Sequence, residues 1–286
     1  NELNKLVQDG AFEQSEVMLI PSTGTHDSIN PQHIAPDKKD WVDPNLYSAT
    51  GGGIPGMHPG FESDGAGAWR QPGRVRLTST GGINVINKIR SVIDRTQHPA
   101  GTKLKVFFLC SVAGGTGSGT IVDLVYMTRH VLETIFAGLY NNTRIFGYIF
   151  SPSACEGEIN MDHHPGANHY AAMKEIAYLM RLRDRGEKIK MNYGITNVTF
   201  NRNIFDTCMI VDGNTPAFGG FRKPAETARN VVVQSILGSM TARDVVGDEQ
   251  VSLIDSVYSN SWTDVTTAIA SLPLDKYPRY AGYSFN

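Results

Sequence analysis

Apolar and polar residues fall in blocks along this chain of 286 residues, and the blocks predict its elements. Residues 1–12 read as the tail of a short helix, and "EVMLIPS" (16–22) as a short strand. From Thr23 to Pro72 the pattern gives way to Gly, Pro, Asp, Asn and His, including "GGGIPGMHPGF" (51–61). So long a stretch predicts a loop, with 24–60 as a surface insertion. Order returns at "GGINVINKIRSVIDR" (81–95), where Ile83, Ile86, Ile89 and Ile93 recur at helical spacing. "KLKVFFLCSV" (103–112) is a continuous apolar run, the pattern of a parallel strand buried on both faces.

A helix is expected over about 121–137, with Val122, Val125, Leu132 and Ile135 facing inward. "TRIFGYIFS" (143–151) predicts the next strand and "HYAAMKEIAYLMRLRDR" (169–185) the next helix. "KIKMNYGITNVTF" (188–200) suggests a small hairpin, and "FDTCMIVDG" (205–213) another core strand. "AETARNVVVQSILGSMTA" (225–242) is a long helix so apolar that it must be buried nearly all round. "DVTTAIASL" (264–272) predicts a helix and "YPRYAGYSF" (277–285) a strand. Strands alternating with helices predict an α/β fold, a mainly parallel sheet with helices on both faces. Ligands bind such sheets in the crevice at the carboxyl ends of the strands.

Composition narrows the function classes. A net charge of −2 with both signs interspersed gives no nucleic-acid footprint. Cys110, Cys155 and Cys208 are odd in number and far apart, so they read as reduced, buried thiols of a cytoplasmic protein. No apolar run reaches the roughly 18–20 residues of a membrane helix. The opening "NELNKLVQDG" is neither a signal peptide nor an initiator Met, so the true beginning is expected to lie upstream.

The chemistry concentrates in "AGGTGSGT" (113–120), at a strand–helix junction. A helix N-terminus presents unpaired N–H groups and a positive dipole end, which suit phosphate. Glycines let an anion approach the backbone, and Thr116, Ser118 and Thr120 add hydroxyl donors. A Walker loop needs a Lys that this stretch lacks. The dinucleotide fingerprint needs a third Gly or an Ala where Thr120 or Val122 stands, and the next strand ends in "IFSPS" without an acidic residue. A dinucleotide-dependent oxidoreductase is therefore disfavoured.

"GGTGSG" resembles the signature of the tubulin/FtsZ superfamily, and further segments follow that family's order. "GAGAWRQPGR" (65–74) resembles the FtsZ segment G-A-G-x-N-P-x-x-G-R: Gly65, Ala66, Gly67, Gly73 and Arg74 match, while Trp69 or Arg70 stands at the Asn position. "SACEGEI" resembles the F-E-G segment, which gives Glu156 the ribose. Asn214, just past "CMIVDG", and Asn230, in "NVVVQSILGSM", match the tubulin Asn residues that read the guanine edge. An amide offers the donor and acceptor that this edge requires. The pattern is closest to divergent bacterial tubulin-like proteins.

The resemblance implies GTP or GDP, with Mg²⁺ on its phosphates, held by Gly65, Ala66, Gly67, Gly73, Arg74, Gly114, Gly115, Thr116, Gly117, Ser118, Gly119, Thr120, Glu156, Asn214 and Asn230. It implies a homopolymer assembled head to tail, with GTP hydrolysed at the subunit contact by carboxylates acting in trans. Asp248, Glu249, Asp255 and Asp264 are candidates; Asn260 and Asp264 lack the family spacing, and Asp255 and Asp264 are selected. The competing expectation is a nucleotide-dependent binding or scaffold module with little or no turnover. Asp162, His163, His164 and His169 lack the paired spacing of a structural zinc site, so no metal is assigned to them. Residues 1–242 are expected to form the nucleotide domain with its core helix, and 243–286 the start of a connecting segment or second domain. The family's first strand, with its Gly-rich turn, and its second domain are not seen, so the chain is expected to be a fragment or a reduced relative.

Overall fold

The computed structural model describes residues 70–77, 82–95, 104–157, 165–192, 197–213, 225–230, 232–233, 236 and 280–282. The segments 16–22, 24–60 and 264–272 lie outside them, as do Gly65, Ala66, Gly67, Asp162, His163, His164, Asn214, Asp248, Glu249, Asp255, Asn260 and Asp264.

Three apolar runs form the centre of the sheet: β1 (Lys105–Ser111), β2 (Arg144–Phe150) and β5 (Thr207–Val211). With β6 (Tyr280–Gly282) they lie in the order β1-β2-β5-β6, every neighbouring pair parallel. Ser111 pairs with Phe150, and Phe150 with Val211, so the carboxyl ends of β1, β2 and β5 are level along one rim. Parallel neighbours need crossovers. Between β1 and β2 run α3 (Gly115–Thr134) and the short α4 (Ala137–Tyr140). Between β2 and β5 run a 3-10 turn (Ser153–Cys155), α5 (Pro165–Leu179) and an antiparallel hairpin of β3 (Ile189–Asn192) and β4 (Asn197–Phe200). Two helices precede β1: α1 (Arg70–Arg76) and α2 (Gly82–Arg95).

Side chains alternate across β2 and β5, and this alternation divides the core. Ile145, Ile149 and Cys208 join Val125, Leu132, Ile176 and Leu179 of the crossover helices. Phe146, Tyr148, Phe150 and Met209 face the other way, onto Ala228 and Val232 of the helical run near 225–236. Helices therefore cover both faces. Each fully buried aliphatic or Phe side chain contributes about 1.5–3 kcal/mol of transfer free energy, and Phe146, Leu132, Ile145, Ile149 and Ile176 all reach that limit. Among the described residues no helix is long and apolar enough to cross a membrane.

Several boundaries depart from the sequence pattern. The helix expected from 121 begins at Gly115, inside the glycine run, and ends at Thr134. Ile135 is exposed beyond its end, and Val122 is only half-buried. In α2 the inward residues are Val85, Ile86 and Ile93, while Ile83 in the first turn is exposed. β1 is not enclosed on both faces by described residues: Leu109 is 49% exposed. The helix expected over 169–185 begins four residues earlier, at Pro165, whose fixed φ suits a first turn, and its regular part ends at Leu179.

Candidate functional site

Two different environments meet along the first turns of α3. At the front, Gly114 is the N-cap, with φ −90° and ψ 167° and no side-chain cap hydrogen bond. Extended values of this kind are open to any residue. A Cβ at Gly114 would meet nothing within 4 Å. Neither backbone conformation nor packing thus explains a glycine at this N-cap, where Ser, Thr, Asp or Asn would hold the helix better. The first N–H groups of the helix follow, and Thr116 is exposed beside them.

On the flank, the glycines serve the protein itself. A Cβ on Gly117 would run into the carbonyl oxygen of Ser111, and one on Gly119 into that of Arg70. A Cβ on Gly73 would sit 2.7 Å from the Gly115 carbonyl oxygen. Backbone therefore lies directly on backbone where α1 crosses α3 and where α3 leaves β1. The Ser118 hydroxyl donates to the Gly114 carbonyl at 2.5 Å, and the Thr120 hydroxyl to Thr116 at 2.8 Å. Both hydroxyls, expected to point at phosphate, donate into the helix and are buried.

Arg74 also belongs to the flank. Its Nε and terminal nitrogen donate to both oxygens of Asp123, at 2.8 and 3.1 Å, and the Asp123 side chain is 1% exposed. Such a fork pairs two charges bidentately. Asp123 stands eight residues past Gly115, about 12 Å along the helix axis at 1.5 Å per residue. Arg70 donates to the Ser118 carbonyl at 3.0 Å and to Glu175 at 3.1 Å. A cleft of about 500 Å³ opens here, lined by Arg70, Arg74, Asp123, Glu175, Tyr178 and Lys190 among others. It runs along the flank beside Ser118, Gly119, Val122 and Asp123, and both of its carboxylates are paired.

The rim of the sheet completes the front. Ser111, at the end of β1, accepts from the Ala113 N–H at 3.3 Å and from the Cys155 thiol at 3.2 Å. The 3-10 turn is thereby drawn beside the glycine loop, and Glu156, next in sequence, is exposed there ahead of Gly157 with φ +86°. Asp212, at the end of β5, accepts hydroxyl protons from Ser151 at 3.0 Å and from Ser153, while the Gly213 N–H donates to Ser153 Oγ at 3.2 Å. From α5, Asn168 donates its side-chain amide to the Ala113 carbonyl at 3.0 Å.

The front thus gathers Gly114, Gly115, Thr116 and Glu156 of the expected residues, with Gly73 packed against Gly115 from behind. Asn230 is exposed on the helical run beneath the opposite face. Ser111, Ser151, Ser153, Asn168 and Asp212 escaped the sequence reading. The visible signal was hydroxyl and carboxylate residues directly after each apolar run: "CSV", "FSPS" and "IVDG".

The cysteines are structural. Burial, with a smaller push from Cys155, raises the Cys110 thiol to about 12, and burial raises Cys208 to about 12. Both stay protonated at neutral pH and are poor nucleophiles. Among the described residues no group of three or more His, Cys, Asp or Glu could hold a metal ion.

No curated protein matches the chain. A family model described as tubulin-like matches residues 12–283, nearly its full length. The order of the glycine loop, the 3-10 turn after β2 and the helical run near 225–236, with the parallel sheet beneath them, agrees with that match, and the chain belongs to the tubulin-like family.

Proposed function

We propose that the protein binds a guanine nucleotide across the level rim of β1, β2 and β5 and assembles head to tail in response to it. The observation that carries this reading is Gly114. It is a glycine that the chain's own conformation and packing do not require, at an N-cap that places no side chain of its own on the helix N–H groups. Room ahead of a helix N-terminus, whose dipole end is positive, suits a phosphate. Gly115 and Thr116 supply the backbone donors. Glu156, just after the 3-10 turn that follows β2, takes the ribose hydroxyls. Asn214 and Asn230 read the base. Mg²⁺ accompanies the phosphates as part of the substrate.

In this reading hydrolysis is completed by Asp255 and Asp264 of the neighbouring subunit, which position and polarise the attacking water. A head-to-tail contact that does not close into a ring propagates into a filament. Right-angle light scattering tests the assembly. The expected result is a rise with GTP and Mg²⁺ above a critical micromolar concentration and a weaker or absent rise with GDP. Phosphate release should fall sharply in Asp264→Ala or Asp255→Ala. Equal scattering with GTP, GDP and no nucleotide would contradict the proposal.

A further inference from the structure

The cleft of about 500 Å³ on the flank of α3 falls in the size range of small-molecule sites. Its walls come from α1, α3, α5 and β3, four segments far apart in sequence. Val122, Leu179, Ile189 and Met191 give it an apolar lining. Arg70, Arg74, Asp123, Glu175 and Lys190 line it with charge.

The balance of those charges decides what the space can hold. Arg74 forks both oxygens of Asp123, and Arg70 reaches Glu175 and the Ser118 carbonyl. Each guanidinium is thus matched by one carboxylate. Lys190, exposed on β3, is left over: among the described residues its ammonium has no ion-pair partner. Three cations against two carboxylates leave the cleft with one excess positive charge.

A metal ion suits it poorly, because both carboxylates are already engaged by guanidinium groups. A bare inorganic anion would leave the apolar lining unused. An organic anion with a single carboxylate and a flat apolar body uses both features. A guanidinium whose edge is held by a carboxylate still offers its face to an aromatic ring.

We propose that this cleft binds a small organic monocarboxylate with an aromatic body, its carboxylate on Lys190 and its body against Val122, Leu179 and Met191. The site is separate from the nucleotide reading and does not depend on it. Its ligand touches α1 and α3 together, so occupancy braces the crossing where Gly73 lies on Gly115.

Amide-shift NMR titrations of the full chain with cinnamate, and with its uncharged analogue cinnamamide, test the assignment. The expected result is saturable shifts at Gly119, Val122 and Met191. Cinnamate should bind in the low millimolar range or tighter, and cinnamamide about fivefold more weakly. Lys190→Glu should weaken cinnamate at least about fivefold more than cinnamamide, which separates a charge contact from a general disturbance of β3. Val122→Trp should fill the cleft and remove both. Equal affinities for the two probes, or an equal response of both to Lys190→Glu, would overturn the proposal. So would the absence of saturable shifts with cinnamate, shifts centred on β1 and α2 instead, or binding that survives in a folded Val122→Trp protein. If Val122→Trp does not fold, the shift map and the Lys190→Glu comparison decide.

Discussion

The front and the flank of α3 share one glycine-rich stretch and use it in opposite ways. On the flank, Gly117 and Gly119 are small because other backbone lies against them, at the carbonyls of Ser111 and Arg70. At the front, a Cβ on Gly114 would meet nothing within 4 Å. A cluster of glycines ahead of a helix is thus two features superimposed. One fixes the helix against β1 and α1; the other leaves the helix N-terminus open. The hydroxyls divide in the same way: Ser118 and Thr120 bond inside the helix, while Thr116 is exposed at the mouth.

Substitutions can separate the two uses. The largest effect is expected on the flank, from Gly117→Val or Gly119→Val. Their side chains would meet backbone rather than a movable side-chain end. Overpacking of this kind costs about 1–3 kcal/mol or more, and loss of the cooperative unfolding transition in circular dichroism is the expected result. Next comes Arg74→Met. It leaves the Asp123 carboxylate buried without its fork, and breaking such a pair from one side costs about 3 kcal/mol. Arg74→Met with Asp123→Leu should recover much of that in chemical denaturation, because a matched apolar pair avoids the unpaired charge. If Arg74 instead contacts nucleotide, the double variant will fold and lose GDP affinity. Smaller still is Thr120→Val, which removes a hydroxyl bonded only within its own helix. A change in stability of about 1 kcal/mol or less is expected, with GDP affinity unchanged in a thermal-shift titration.

Much of the fold was legible because it rests on short-range pattern. The apolar runs at 103–112, 143–151 and 205–213 became β1, β2 and β5, and the alternation at 188–200 became the β3–β4 hairpin. The start of α3 was not legible. Glycine has poor helix propensity, and the reason it is tolerated here, the close crossing of α1 about 45 residues upstream, is a tertiary contact with no local trace. Arg74 was hidden for the same reason, since nothing in the spacing links it to Asp123. His169 both closed the polar cluster "DHHPGANH" and opened the helix expected over 169–185; only the extra turn from Pro165 sets it in line with Pro165 and Ala172.

Gly114→Asp tests the central claim most directly, because folding and binding should respond with opposite signs. Aspartate is a preferred N-cap residue and also complements the helix dipole, so the thermal midpoint should hold or rise, by an amount worth about 0.5 kcal/mol. The same carboxylate would occupy the N–H groups and repel phosphate, so calorimetric titration with GDP and Mg²⁺ should show binding to the wild type and none to the variant. A folded Gly114→Asp protein that binds GDP as tightly as the wild type would contradict the account.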